Sequence, residues 1–310
     1  MRFRTYAKIP KTHGDDTRTA GGLWVALEKL HGAHFIVAVE GREVRFGKRK
    51  EWLEADTPFF GWQLLAENLR TRVLKMADAV GRRVFVAYGE LVGGAYPHPN
   101  VAPVPGLSAV QTGIWYAPDL HWVIFDILTA DSDEDEGIFW AHGEVEALAQ
   151  THGFLVPPLV RRGRRTELET VPYSAPTRFP ALLLLPPISD NIAEGIILKP
   201  DMRLAPSARP VIKRKIPEFD DAKFDESAAW APGRLSVDEL LVWVERLVNP
   251  ARMQSARSKV GEAREAIIDE VVLDVAIDLE LAFREAWEAC GSEGQTRLLE
   301  HARARAEGLA

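Results

Sequence analysis

The sequence predicts an α+β protein in which a β-rich segment is followed by a small all-α one. Three observations carry this. From Trp24 to Lys215, short runs of β-branched and aromatic residues alternate with turns marked by glycine and proline. After Lys215 the β signal almost disappears, and the chain becomes rich in Leu, Val, Ala, Glu and Arg at helical spacing. Between the two, residues 216–234 are polar, with Pro217, Pro232 and Gly233 bracketing an acidic stretch. The expected organisation is a first domain over 1–216, a linker over 217–235 and a helical domain over 236–310. No internal repeat is visible.

Taken in order, Trp24-Val-Ala-Leu-Glu-Lys29, Phe35-Ile-Val-Ala-Val39 and Val84-Phe-Val-Ala-Tyr88 have strand composition. So do Trp122-Val-Ile-Phe-Asp-Ile127 and Ile196-Ile-Leu-Lys199. Between strands, residues 61–80 place Leu64, Leu65, Leu69, Val73 and Met76 at helical intervals, and residues 139–152 read as a second helix. The run Ala181-Leu-Leu-Leu-Leu-Pro186 reads as a buried strand, far too short to cross a bilayer. Ser236-Val-Asp-Glu239 has the form of a capping box and opens the helical domain.

A chain of 310 residues with 46% hydrophobic composition can bury a sizeable core. It shows neither a signal-like N-terminus nor a membrane-length apolar run, and we expect a cytoplasmic monomer with no membrane partner. The single cysteine, Cys290, excludes an intramolecular disulfide and a cysteine-based zinc site. His13, His98, His121, His142, His152 and His301 have no metal-ligand spacing. The formal charge of −7 argues against a polyanionic partner only if charge is evenly spread. It is not. Basic stretches lie at residues 42–50, 161–165 and 213–215, whereas acid gathers in Asp131-Ser-Asp-Glu-Asp-Glu136 and in the C-terminal third.

Six short blocks stand out together. Glu28-Lys29-Leu30-His31-Gly32 puts a lysine at a strand end before a turn glycine, and Gly47-Lys48-Arg49-Lys50 follows. Glu90 closes Phe85-Val-Ala-Tyr-Gly-Glu90, and Phe125 and Asp126 lie inside an apolar strand. Glu194 precedes Gly195, and Lys213 and Lys215 are two residues apart, hence on one strand face. Singly, each block has an ordinary reading as solvated strand end, core aromatic or surface charge. In this order and spacing they resemble the covalent nucleotidyltransferases, and within them the family of phage-type RNA ligase 2 and the RNA-editing ligases. Leu247-Val-Asn-Pro-Ala-Arg-Met-Gln-Ser-Ala-Arg-Ser-Lys-Val-Gly-Glu262 resembles the opening of that family's helical C-terminal domain.

The resemblance implies an α+β nucleotidyltransferase (ATP-grasp-like ligase adenylation) domain of mainly antiparallel sheets with flanking helices. It implies ATP as AMP donor, Mg²⁺ or Mn²⁺ as cofactor, and RNA as partner, most directly a nicked duplex. Lys29 would be the nucleophile. An unperturbed lysine amine, with a pKa of about 10.4, is almost wholly protonated at neutral pH, so nearby cations such as Lys213, Lys215 and Arg49 are expected to favour the amine. Glu90 and Glu194 would hold the metal and ribose hydroxyls. Phe125 would stack on adenine, Glu28 would accept from its amino group, and Leu30, His31 and Arg49 would border the nucleotide, the last two toward phosphate. Asp126 matches a residue the family needs. The family usually reads Lys-x-His-Gly-Thr-Asn-Phe where this chain has Ala33 and His34. Those changes bear on transfer to the RNA 5′ end more than on capture of AMP. Two other functions fit less of the sequence: an inactive RNA-end-binding protein, and the same chemistry acting on DNA or hybrid nicks.

Overall fold

The computed structural model describes residues 1–9, 21–219 and 235–310. Most of the expected linker, with Pro232 and Gly233, lies outside the described residues, as does His13. The chain divides into two compact units. The first comprises residues 1–53, 73–103 and 109–228; the second comprises 54–72, 104–108 and 229–310.

The first unit contains two antiparallel sheets. One has the order β3-β2-β4-β5-β6, built from β2 (Ala33–Glu40), β3 (Glu43–Lys48), β4 (Val84–Ala95), β5 (Ala117–Ala130) and β6 (Ile138–Phe139). The other has the order β7-β1-β8-β9, built from β1 (Trp24–Glu28), β7 (Leu159–Gly163), β8 (Gly195–Pro200) and β9 (Ile212–Lys215). β1 and most of β2, β4 and β5 are buried on both faces. That explains why the sequence shows continuous apolar runs there rather than alternation.

Helix α1 (Gln63–Val80) forms where the periodicity predicts it. The second predicted helix begins later. Phe139 pairs with Leu128 in β6, and α2 (His142–Thr151) starts only where the Glu144 carboxylate accepts from the Ala141 N–H at 3.2 Å. The leucine run at 181–186 is not a buried strand. Pro180 starts a single turn, α4 (Phe179–Leu182), following the short α3 (Arg165–Leu168), and Leu184 is 93% exposed with φ of 56°. Prolines on both sides deny the segment a ladder.

In the second unit, Ser236 and Glu239 form the expected capping box at α5 (Val237–Leu247). Asn249 accepts from Arg252 N–H and Pro250 opens α6 (Pro250–Val260), a usual division of labour between cap and first helical residue. The remaining helices are α7 (Arg264–Ala282), α8 (Arg284–Ala289) and α9 (Gly291–Glu307). Trp243, Val271, Val275, Leu279, Phe283 and Leu298 form their shared core, into which Leu64 also packs. No helix among the described residues is long and apolar enough to cross a membrane.

Candidate active site

The nucleotide site implied by the sequence corresponds to a cavity of about 210 Å³ in the first unit. That far exceeds the ~30 Å³ share of one water, so the space is ligand-sized. One wall is a face of the four-stranded sheet: Leu27 of β1, Ile197 and Lys199 of β8, and Lys213 and Lys215 of β9. Facing residues come from the other sheet, namely His34, Glu90, Phe125 and Asp126. Glu28, Lys29, Leu30 and Arg49 also line the cavity. His31 and Glu194 are not in its lining; Glu194 meets Lys29 from beside it, and His31 meets Glu194.

Lys29 follows β1, where its N–H donates to the Gly195 carbonyl at 2.9 Å. Its Nζ donates to Glu194 Oε2 at 2.5 Å, while Lys215 Nζ lies 2.5 Å from Oε1 and His31 Nδ1 lies 3.6 Å from Oε2. Burial works against the Glu194 carboxylate, but Lys29, His31 and Lys215 outweigh it and bring its pKa down to about 2. Two glycines allow this convergence. A Cβ at Gly32 would stand 2.1 Å from the Leu91 carbonyl, and one at Gly195 (φ 148°) would stand 1.9 Å from that of Arg214.

Glu90 pairs across the ladder with His34, and its carboxyl is pushed up to about 7 by burial and by Glu194, against the pull of Lys29 and Arg49. His34 is held at about 4 by burial and by Arg49; its buried Nε2 has no hydrogen-bond partner, so the imidazole is neutral at pH 7. The donor set fits a hard divalent cation in one particular way. No group of three His, Cys, Asp or Glu converges among the described residues. Two carboxylates that feel each other's charge, Glu90 and Glu194, suit an ion that keeps its waters and takes its remaining ligands from phosphates.

Phe125 and Asp126 both line the cavity although they are adjacent on a strand. The reason is a bulge: Tyr88 pairs with Asp126 and Gly89 with Ile124, leaving Phe125 as an extra residue. Asp126 is 1% exposed and accepts from Tyr6 (2.6 Å), Lys199 (2.8 Å) and Arg209 (2.6 Å). Burial alone would raise its pKa; Arg209 and Lys199 reverse the sign. Lys199 Nζ also donates to the Phe125 carbonyl at 2.5 Å. Asp126 therefore anchors the bulge by pairing buried cations. Glu28 is also occupied: its carboxylate accepts from the Thr177 hydroxyl and from Arg178 N–H (2.8 Å), and burial raises its pKa despite both.

Tyr6 and Lys199 line this cavity, and Arg209 reaches it through Asp126 and Tyr6; none of the three was singled out by the sequence. A lysine inside the apolar run ending at Pro200 is a usable signal, since buried lysines need partners. Tyr6 and Arg209 carry no local signal. Part of the charge in the basic stretches is paired: Arg42 meets Asp78 (3.2 Å), Lys48 meets Glu51 (2.7 Å) and Arg162 meets Asp201 (2.9 Å).

Half-buried Lys29, Lys213 and Lys215 beside buried Lys199, in a ligand-sized cleft between two antiparallel sheets, are the arrangement that the sequence resemblance leads one to expect. The RNA ligase family model matches residues 22–215, and the chain belongs to that family. It is similar to the mitochondrial RNA-editing ligase 2 of Trypanosoma brucei brucei (strain 927/4 GUTat10.1), at 29% identity over 233 residues, 66% of this chain and 56% of that protein. It is similar also to mitochondrial RNA-editing ligase 1 of Trypanosoma brucei brucei, at 26% over 236 residues, 64% of this chain and 50% of that one. The chain thus spans about half the length of the curated relatives it matches. A structure of Naegleria gruberi RNA ligase with PPi aligns over 66% of this chain and 53% of that one, at 13% identity and a TM-score of 0.42.

Proposed function

We propose that this chain is an ATP-dependent RNA ligase that takes AMP from ATP onto Lys29 and seals 5′-phosphate/3′-hydroxyl ends at nicks in duplex RNA. The observation that carries this reading is the grouping of Lys29, Lys213, Lys215, Glu90 and Phe125 around one cavity, with Glu194 gripping Lys29. Membership of the RNA ligase family and the likeness to RNA-editing ligases support RNA as substrate. A cytoplasmic location and a monomeric state are part of the same proposal.

In the first step the Lys29 amine bonds to the α-phosphorus of ATP, the bond from that phosphorus to the bridging oxygen breaks, and pyrophosphate leaves. Glu194 holds Nζ through their ion pair, and the proton goes to water. Lys213 and Lys215 face charge developing on the phosphates, which is the main demand of phosphoryl transfer. Phe125 offers a face to adenine. Glu90 and Glu194 would hold Mg²⁺ or Mn²⁺, which when bound neutralises phosphate charge. In the second step a 5′-phosphate oxygen of RNA attacks the same phosphorus, the P–N bond breaks, and Lys29 leaves and regains a proton. In the third, the 3′-hydroxyl attacks the RNA phosphorus, loses its proton to water, and AMP departs.

The test is incubation with Mg²⁺ and α-labelled ATP beside a Lys29→Ala variant. Label on the wild-type polypeptide and none on the variant is the expected result, followed by sealing of nicked duplex RNA in preference to DNA or hybrid nicks. Folded, AMP-free protein that takes no label would overturn the proposal.

A further inference from the structure

The acidic run at residues 131–136 takes no part in the chemistry above, yet it has a definite structural partner. It connects β5, the strand of Phe125 and Asp126, to β6, and Asp135 fixes its shape by accepting from Asp131 N–H (3.1 Å) and Gly137 N–H (3.0 Å). So shaped, the loop turns its acceptors toward the first residues of the chain. Arg2 N–H donates to Asp133 Oδ1 at 3.1 Å, and the Arg4 guanidinium donates to the carbonyls of Ser132 (2.8 Å), Asp135 (2.7 Å) and Glu136 (3.2 Å). Tyr88 Oη adds a bond to the Arg4 carbonyl at 3.0 Å. Two residues further on, Tyr6, Ala7 and Ile9 form part of the cavity wall.

We infer that Tyr6 is a positioning residue of the nucleotide cavity, and that the acidic loop exists to hold it there through Arg4. This rests on the nucleotide reading of that cavity. The Tyr6 ring meets Phe125 edge-on, with centroids 5.2 Å apart at 82°, and so props the side chain assigned to adenine. Its hydroxyl donates to Asp126 (2.6 Å) and accepts from Arg209 (3.2 Å), and Asp126 in turn holds the lysine that grips the Phe125 carbonyl. Ring and hydroxyl therefore reach the same target by two routes, side chain and backbone. Arg4 does not line this cavity, so its effect on nucleotide affinity passes through the segment it anchors, in which Tyr6 is the residue that meets Phe125.

The experiment is calorimetric titration of the full chain with α,β-methylene-ATP, which cannot donate AMP, alongside thermal melts of each variant. Tyr6→Ala, losing ring and hydroxyl, is expected to weaken binding on the order of 10- to 100-fold. Tyr6→Phe keeps the ring and should lose only about 5-fold, the equivalent of one hydrogen bond. Arg4→Ala should weaken binding by roughly 3- to 10-fold, in the range of a loosened charged contact. A merely structural role would lower melting temperatures and leave the affinity of the folded protein unchanged. Wild-type binding with all three folded variants binding equally well overturns this inference alone. A wild-type chain that does not bind the analogue overturns the nucleotide reading and this inference with it.

Discussion

Glu90 faces His34 across the β2–β4 ladder, and its raised pKa of about 7 makes it the carboxyl in the site that can change charge near neutrality. Because the folded value lies above the 4.5 usual for a glutamate, the folded state keeps a proton that the unfolded state has released. The stability tied to that proton is complete below pH 4.5 and is lost as pH rises through about 7. A glutamine there has no charge to desolvate. Glu90→Gln should therefore be close to wild type in urea stability at pH 4.5 and more stable at pH 8, by roughly 3 kcal/mol. AMP transfer should fall about 100-fold in the same variant, a loss typical of one charge-stabilising group. An unchanged stability difference between the two pH values would show that Glu90 is solvated. At this scale the sequence revealed residue types but not their engagements. Glu90 and Glu194 look alike as strand-end carboxylates, yet one is pushed up and the other down because three basic side chains surround Glu194. Nothing in the order of residues brings Arg209 to Asp126.

At the level of elements, the turn between β1 and β2 is a tightly constrained part of the site. Gly32 lets β4 come close enough for its chain to receive Glu90 and Leu91 beside Lys29. A methyl group 2.1 Å from the Leu91 carbonyl cannot be absorbed by a rotamer change, since the obstacle is backbone. Gly32→Ala should cost about 3 kcal/mol, at the upper end for overpacking, read as a lower urea midpoint at unchanged slope. A midpoint within error of wild type would show that the two strands can separate freely. Strands and helices were legible where composition and period agreed, as in α1 and the capping box at Ser236. The leucine run was misread because apolar content outweighed the prolines that flank it. The bulge was illegible for a different reason: a one-residue mismatch between two strands exists only once they pair, and the sequence of β5 alone looks regular.

For the whole molecule, the relevant fact is that the second unit draws on three separate stretches of chain. Leu64 lies in the same apolar cluster as the C-terminal helices, and Val104 and Leu107 pack against that cluster. A chain shortened to residues 1–219 would leave these side chains without their cover. It should bind a hydrophobic dye such as ANS and aggregate on warming, whereas the full chain should do neither; a soluble, dye-silent fragment would contradict this. Composition shows where the helical segment begins, but not which distant residues it covers, because packing partners need not be neighbours in order. The same division sets a schedule for synthesis. A ribosome delivers residues 54–72 and 104–108 more than a hundred residues ahead of Leu235, which at ~5–20 residues per second leaves them waiting for roughly 6–36 s. During that interval the nascent chain carries leucines whose partners have not yet been made. The apolar surface of these stretches is therefore most exposed during synthesis, before residues 235–310 exist to cover it.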